Sequence, residues 1–156
     1  MLEKVDPARP LYVEGESRRI GRLNVPIPLI DRMRESPCVE VRVPHDARLD
    51  YLLRDYAYLG ERPEWLAGQF ETLKPLHGKE VIGAWQAMAL AGDLAPLFSD
   101  LATRHYDPAY ARSQRAHFRR WADRLPIESA GLAPEDIAGI ARRVAEAGPG
   151  VLAAAG

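Results

Sequence analysis

One cysteine, Cys38, stands in the 156-residue sequence. A lone thiol excludes an internal disulfide and fits a reducing compartment, so the expected location is the cytoplasm. No apolar run approaches the roughly 18 residues of a membrane span. The opening MLEKVDPARP lacks the apolar stretch of a signal peptide, and no membrane partner is expected. His45, His77, His105 and His117 are scattered without H-x-x-x-H spacing, and no C-x-x-C occurs, which argues against structural zinc. Nucleophile elbows and glycine-rich dinucleotide loops are missing as well. So is any G-x-x-x-x-G-K-[ST]. The nearest approach, LHGKE at 76–80, has Glu80 where Ser or Thr would meet Mg²⁺. A net charge of −1 gives no general pull toward nucleic acid and no reason to expect DNA as a partner. Any such affinity must come from local clustering.

What is present suits a soluble globular chain of ordinary domain size. Leu11, Tyr12 and Val13 follow a proline and read as a short buried strand. Pro28 suits a first helical position, Ile30 and Met33 share a face, and Pro37 stops that helix. Val39, Val41 and Val43 then alternate with Glu40 and Arg42, the period of a second strand. Strand, helix and strand within residues 11–43 predict a βαβ unit with parallel strands.

After Pro44 the period is helical throughout. Leu49, Leu52, Leu53 and Tyr56 share one face. A helix from Pro63 buries Leu66, Phe70 and Leu73 and ends near Gly78. The next, Lys79 to Ala91, turns Val81, Trp85 and Met88 inward, with Gly92 placed to end it. Leu94, Leu97, Phe98 and Leu101 mark a fourth. Asp107 and Pro108 read as cap and first residue of a long helix ending before Pro126. A last amphipathic helix runs from Pro134 to about Ala147, and the Gly/Ala-rich end reads as frayed.

The fold class expected is therefore α/β at the N-terminus, with a partial P-loop-type parallel sheet, followed by a mainly helical region. Residues 1–44 form the α/β segment, 45–147 the helical domain and 148–156 a flexible tail. Two parallel strands are too few for a stable sheet, so neighbouring strands are expected from a partner chain or from a longer protein of which this is the rear part.

In open α/β sheets ligands sit beyond the carboxyl ends of strands. Glu14 follows the first expected strand and Glu16 lies two further on. A carboxylate there can hold Mg²⁺, which bridges phosphate oxygens. Arg18 and Arg19 come next, and guanidinium forks match phosphate geometry. The same spacing also describes a charged turn with surface ion pairs worth about 0–1 kcal/mol each.

The stretch RPLYVEGESRRIGRLNVPIPLIDRMRESPCVEVRVP resembles the strand-to-strand region of bacterial tRNA 2-selenouridine synthases, in which a strand runs into E-x-E-S-R-x-I-G. RHYDPAYARS, Arg104 to Ser113, is similar to the Tyr-Asp-Pro-x-Tyr motif of that family. The likeness extends from about Asp6 to Arg124. It implies a transferase with an N-terminal rhodanese-like domain bearing a reactive cysteine and a P-loop domain behind it. Such enzymes replace sulfur by selenium in wobble 2-thiouridine of tRNA. Selenophosphate is the donor, and a geranylated intermediate is made from geranyl diphosphate. Under that resemblance Glu14 takes the Walker B place as the Mg²⁺-associated carboxylate, Glu16 replaces or helps it, and Arg18 and Arg19 meet a diphosphate or a tRNA phosphate. Gly21 permits the turn.

The chain departs from the family in two respects, the absent Walker A motif and the absent rhodanese cysteine. Cys38 has no nearby base and reads as a small packed residue. No residue is assigned as catalytic, and the isolated chain is expected to be inactive without a separately encoded N-terminal half.

Arg112, Arg115 and Arg119 fall on one stripe of the long helix expected after Asp107. Arginines in a row suit an RNA backbone, and Tyr106 and Tyr110 suit stacking on an unpaired anticodon base. A solvated charged stripe and packed aromatics describe the same pattern. Asp107 reads as a cap, His105 as a capping or surface residue. Two functions remain open. One is the C-terminal portion of a tRNA 2-selenouridine synthase; the other is a truncated, non-enzymatic helical module that binds RNA or protein.

Overall fold

The computed structural model describes Asp6, residues 10–15 and residues 18–153. Two compact units result. One joins the N-terminal segment up to Arg42 with Tyr110–Ser129 and the segment from Ala133 on; the other holds Val43–Ala109 with Ala130–Leu132.

The first unit opens with residues 10–15, which belong to no strand. Arg19–Ile20 (β1) and Leu23–Asn24 (β2) pair antiparallel across a turn at Gly21, whose φ of 60° is the left-handed conformation that glycine adopts without penalty. Helix α1, Ile27–Glu35, starts behind Pro26, carries Pro28 in its first turn and buries Ile30. Ser36 ends it, and Val39–Arg42 (β3) follows.

The parallel partner of β3 is Leu125–Glu128 (β4), in register Val39↔Leu125 through Arg42↔Glu128. The parallel sheet expected near the N-terminus is therefore present, but its second strand is not Leu11–Val13. Those three side chains are each about half exposed, and the expected βαβ unit gives way to a pairing that spans most of the chain. The sequence pattern makes Pro126 the stop of a long helix. Instead Pro126 sits inside β4, a residue that offers no N–H and is tolerated where a strand lies at an edge. Ile127, 3% exposed, anchors β4. Ion pairs frame the sheet: Glu40 accepts from Arg124 at 2.9 Å and from Arg42 at 2.7 Å. Helix α7, Pro134–Ala153, closes the unit and extends past Ala147, where the expected helix fades.

The second unit is helical. It contains α2 (His45–Asp55), a 3₁₀ turn at Ala57–Glu61, α3 (Pro63–Gln69), a 3₁₀ turn at Phe70–Leu73, α4 (Lys74–Ala91) and α5 (Leu94–Leu101). Trp85 has no exposed surface; it packs edge-on to Phe70 and donates its indole N–H to Asp100 at 2.8 Å. Leu66, Ile82, Leu97, Phe98 and Leu101 complete this core. Two glycines shape α4, Gly78 breaking it (φ 79°) and Gly92 ending it (φ 76°), both at the places the sequence pattern marks. A π-helical stretch, Ala102–Tyr106, then leads without a break into α6, Asp107–His117. Asp107 therefore caps nothing. Its carboxylate takes both terminal guanidinium nitrogens of Arg48, at 3.0 and 2.6 Å. No helix among the described residues is long and apolar enough to cross a membrane.

Candidate functional site

The loop around Glu14 is held from two sides within the first unit. Gln114, the one buried polar side chain among the described residues, donates its amide N–H to the Gly15 carbonyl at 2.8 Å. Tyr12 donates its hydroxyl to the Val144 carbonyl of α7 at 3.2 Å. That hydroxyl lies where a Cβ on Gly148 would stand, so α7 approaches closely because residue 148 has no side chain. Residues 10–15 together with α1, β3, α6 and Trp121 enclose a groove of about 730 Å³, and Glu14 stands at its margin, exposed. Glu16 and Ser17 lie outside the described residues. Among the described residues no three His, Cys, Asp or Glu side chains gather to hold a metal. Mg²⁺ commonly keeps most of its waters and binds through one or two carboxylates and substrate phosphates, so the lone Glu14 carboxylate would supply at most one or two of its ligand oxygens.

Beside the hairpin lies a smaller pocket of about 230 Å³ lined by Arg18, Arg34, Ser113 and His117 over a floor of Ile30, Met33 and Phe118. Two helix ends build it. The last turn of α1 supplies Arg34, the end of α6 supplies Ser113 and His117, and the Arg119 amide ties the two by donating to the Arg34 carbonyl at 2.9 Å. His117 Nδ1 lies 2.9 Å from the Ser113 carbonyl. A carbonyl only accepts, so Nδ1 carries hydrogen and Nε2 remains available to the pocket or solvent. Sequence pattern does not single out Arg34, Ser113 and His117. The i, i+4 spacing of Ser113 and His117 is visible there, but its pairing with the end of α1 is a tertiary fact.

The remaining expected residues are dispersed. Arg19 turns back on the hairpin, its Nε donating to the Gly21 carbonyl at 3.0 Å. Arg112 and Arg115 project from α6 and are exposed. Because α6 ends at His117, Arg119 leaves their stripe; it lies in the following turn, 3.2 Å from Glu35. Arg124 serves the sheet and stacks its guanidinium 4.7 Å over Trp121. Tyr106 and Tyr110 are 63% and 51% exposed, so neither is spent on a core. His105 is no surface cap: it is half-buried, with Nδ1 at 3.0 Å from His77 Nε2. Cys38 is half-buried, and burial pushes its thiol pKa up against the opposing pull of Arg120 and Arg124, as for an unreactive packed residue.

Residues 1–72 match the family described as tRNA 2-selenouridine synthase AAA domain. A tRNA 2-selenouridine synthase of Aeromonas salmonicida (strain A449) is 48% identical over 46 residues, a stretch that covers 30% of this chain and 12% of that relative. No solved structure gives a significant match. The family match includes the E-x-E-S-R-x-I-G loop and ends before Arg104–Ser113. Over this N-terminal stretch, under half of its length, the chain is similar to the tRNA 2-selenouridine synthases.

Proposed function

We propose that this chain is the C-terminal portion of a tRNA 2-selenouridine synthase, contributing the acidic segment at Glu14 and an RNA-contacting helix to an enzyme that exchanges sulfur for selenium at wobble 2-thiouridine. The observation that carries this reading is that Glu14 and Gly15 lie inside the family match and that the Gly15 carbonyl accepts from the buried Gln114. Tethering a loop by a buried amide fixes its backbone, which a binding loop needs and a decorative turn does not.

In this reading Arg112, Arg115 and Arg119 hold tRNA phosphates. They supply affinity and orientation without reading sequence. Tyr106 and Tyr110 offer rings to unpaired bases. Glu14 is the residue that would hold Mg²⁺, with Glu16 as its alternate or helper. The ion's contribution would be to neutralise phosphate charge on selenophosphate or geranyl diphosphate. Arg18 and Arg19 serve a diphosphate or a tRNA phosphate. No P-loop occurs in these 156 residues. Turnover by this chain therefore requires the phosphate-gripping half from elsewhere, and alone the chain binds without catalysing.

A salt titration tests the RNA role. Replacing Arg112, Arg115 and Arg119 together by Ala should weaken tRNA binding. It should also flatten the plot of log K against log salt, by roughly 0.7 for each phosphate that goes unneutralised. An unchanged slope overturns the assignment. For the metal, Glu14→Gln should lower Mg²⁺-dependent pyrophosphate binding with circular dichroism unchanged; undiminished binding removes Glu14 from the role.

A further inference from the structure

We infer that the pocket between the ends of α1 and α6 is a phosphate-binding site, formed by Arg18, Arg34, Ser113 and His117. It shares Arg18 with the reading above and rests on that reading for nothing else. Three observations converge. Arg34 is half-buried, yet no carboxylate pairs with its guanidinium among the described residues. Two nearby carboxylates are taken, Glu35 by Arg119 and Glu40 by Arg42 and Arg124. A guanidinium withdrawn partly from water without a counter-charge is costly unless an anion supplies one.

The second observation is the lining. Both arginines, Ser113 and His117 line one cavity together with the apolar residues Ile30, Met33 and Phe118. Ile30 is buried. An apolar floor lowers the local dielectric and strengthens the attraction of the cations for an anion above it. Arginine forks suit tetrahedral oxyanions in particular, because two parallel N–H donors match two phosphate oxygens. Ser113 adds a neutral donor, and His117, its Nδ1 spent on the Ser113 carbonyl, borders the cavity.

Size is the third. About 230 Å³ is the room of roughly eight liquid waters. That accommodates a phosphate or diphosphate group. The ligand class is therefore a phosphate group, carried either on an RNA backbone or as free phosphate or diphosphate.

Calorimetric titration of the full chain at low salt with sodium pyrophosphate and with inorganic phosphate tests the site. Saturable binding of one anion per chain is expected. Arg34→Gln should weaken it by roughly tenfold or more, the effect of removing a charge-assisted hydrogen bond, and Ser113→Ala by less. Arg22→Gln, an exposed arginine outside the pocket, should leave it within about twofold by the same scale. Should Arg34→Gln fail to fold by circular dichroism, Arg18→Gln carries the test, since Arg18 is exposed. Absence of saturable binding, or an equal loss from Arg22→Gln, overturns the site. A short single-stranded RNA distinguishes the two sources. Displacement of that RNA by pyrophosphate, with a matching loss in Arg34→Gln, identifies a backbone phosphate as occupant; RNA binding indifferent to both, with pyrophosphate still saturable, identifies the free anion. Neither arm depends on Arg112, Arg115 or Arg119, so this proposal and the tRNA reading fail separately.

Discussion

At the scale of single residues, Gln114 shows how a neutral side chain organises charged ones. It is 3% exposed, and its bond to the Gly15 carbonyl at 2.8 Å holds the backbone next to Glu14. Substituting Leu keeps the volume roughly but leaves that carbonyl without its donor, at a cost of about 1–3 kcal/mol. Gln114→Leu is thus expected to lower the urea midpoint; a midpoint equal to that of the parent protein would show that the bond adds nothing to stability. The sequence makes the glutamates and arginines legible because charge next to a short apolar run attracts notice. It leaves Gln114 unread, since a glutamine on an amphipathic helix has no distinguishing pattern until its partner, far away in sequence, is known. The same blindness applies to Asp107. Its position before Pro108 is that of a cap, whereas its bond partner, Arg48, sits on another helix.

Among elements, the helices of the second unit and β3 are legible, whereas β4 is not. The helices of the second unit repeat apolar residues on one face and are punctuated by Pro63, Gly78 and Gly92, which are local signals. β4 carries the opposite kind of information. Its four residues, Leu-Pro-Ile-Glu, include a proline and become a strand by pairing with the sequence-distant Val39–Arg42 rather than through local preference. Leu11–Val13 err in the other direction, apolar enough to read as strand yet part of no ladder. The helix ends allow a direct check. Gly92 closes α4 at φ 76°, with open space where a Cβ would stand, so Gly92→Ala carries conformational strain and no clash. The loss should be about 1–2 kcal/mol, the cost of placing an L residue in the left-handed region. A thermal midpoint within error of the parent would mean that α4 can end elsewhere without penalty.

For the whole molecule, the distribution of buried apolar surface separates the two units physically. Nine hydrophobic residues of the helical unit form one buried cluster around Trp85. In the other unit, Ile30 and Ile127 are the buried hydrophobics among the described residues, and its parallel sheet has two strands. Hydrophobic burial is the dominant favourable term in folding, and two strands alone are marginal in water. The unit that carries the family-matched loop and the phosphate pocket is therefore the one with the smaller reserve of stability. Such asymmetry suits a binding region, because segments that adjust to ligands come from the low-stability end of a structure. Native-state hydrogen exchange should find the amides of Ile82 to Ala89 and Leu97 to Leu101 protected longest, and those of β3 and β4 exchanging first through sub-global opening. Pyrophosphate seated between α1 and α6 should slow exchange in β3 and β4 by mass action while leaving the Trp85 cluster unchanged. Equal protection across both units before ligand, or slowing confined to the helical unit after it, would contradict this placement of stability and binding.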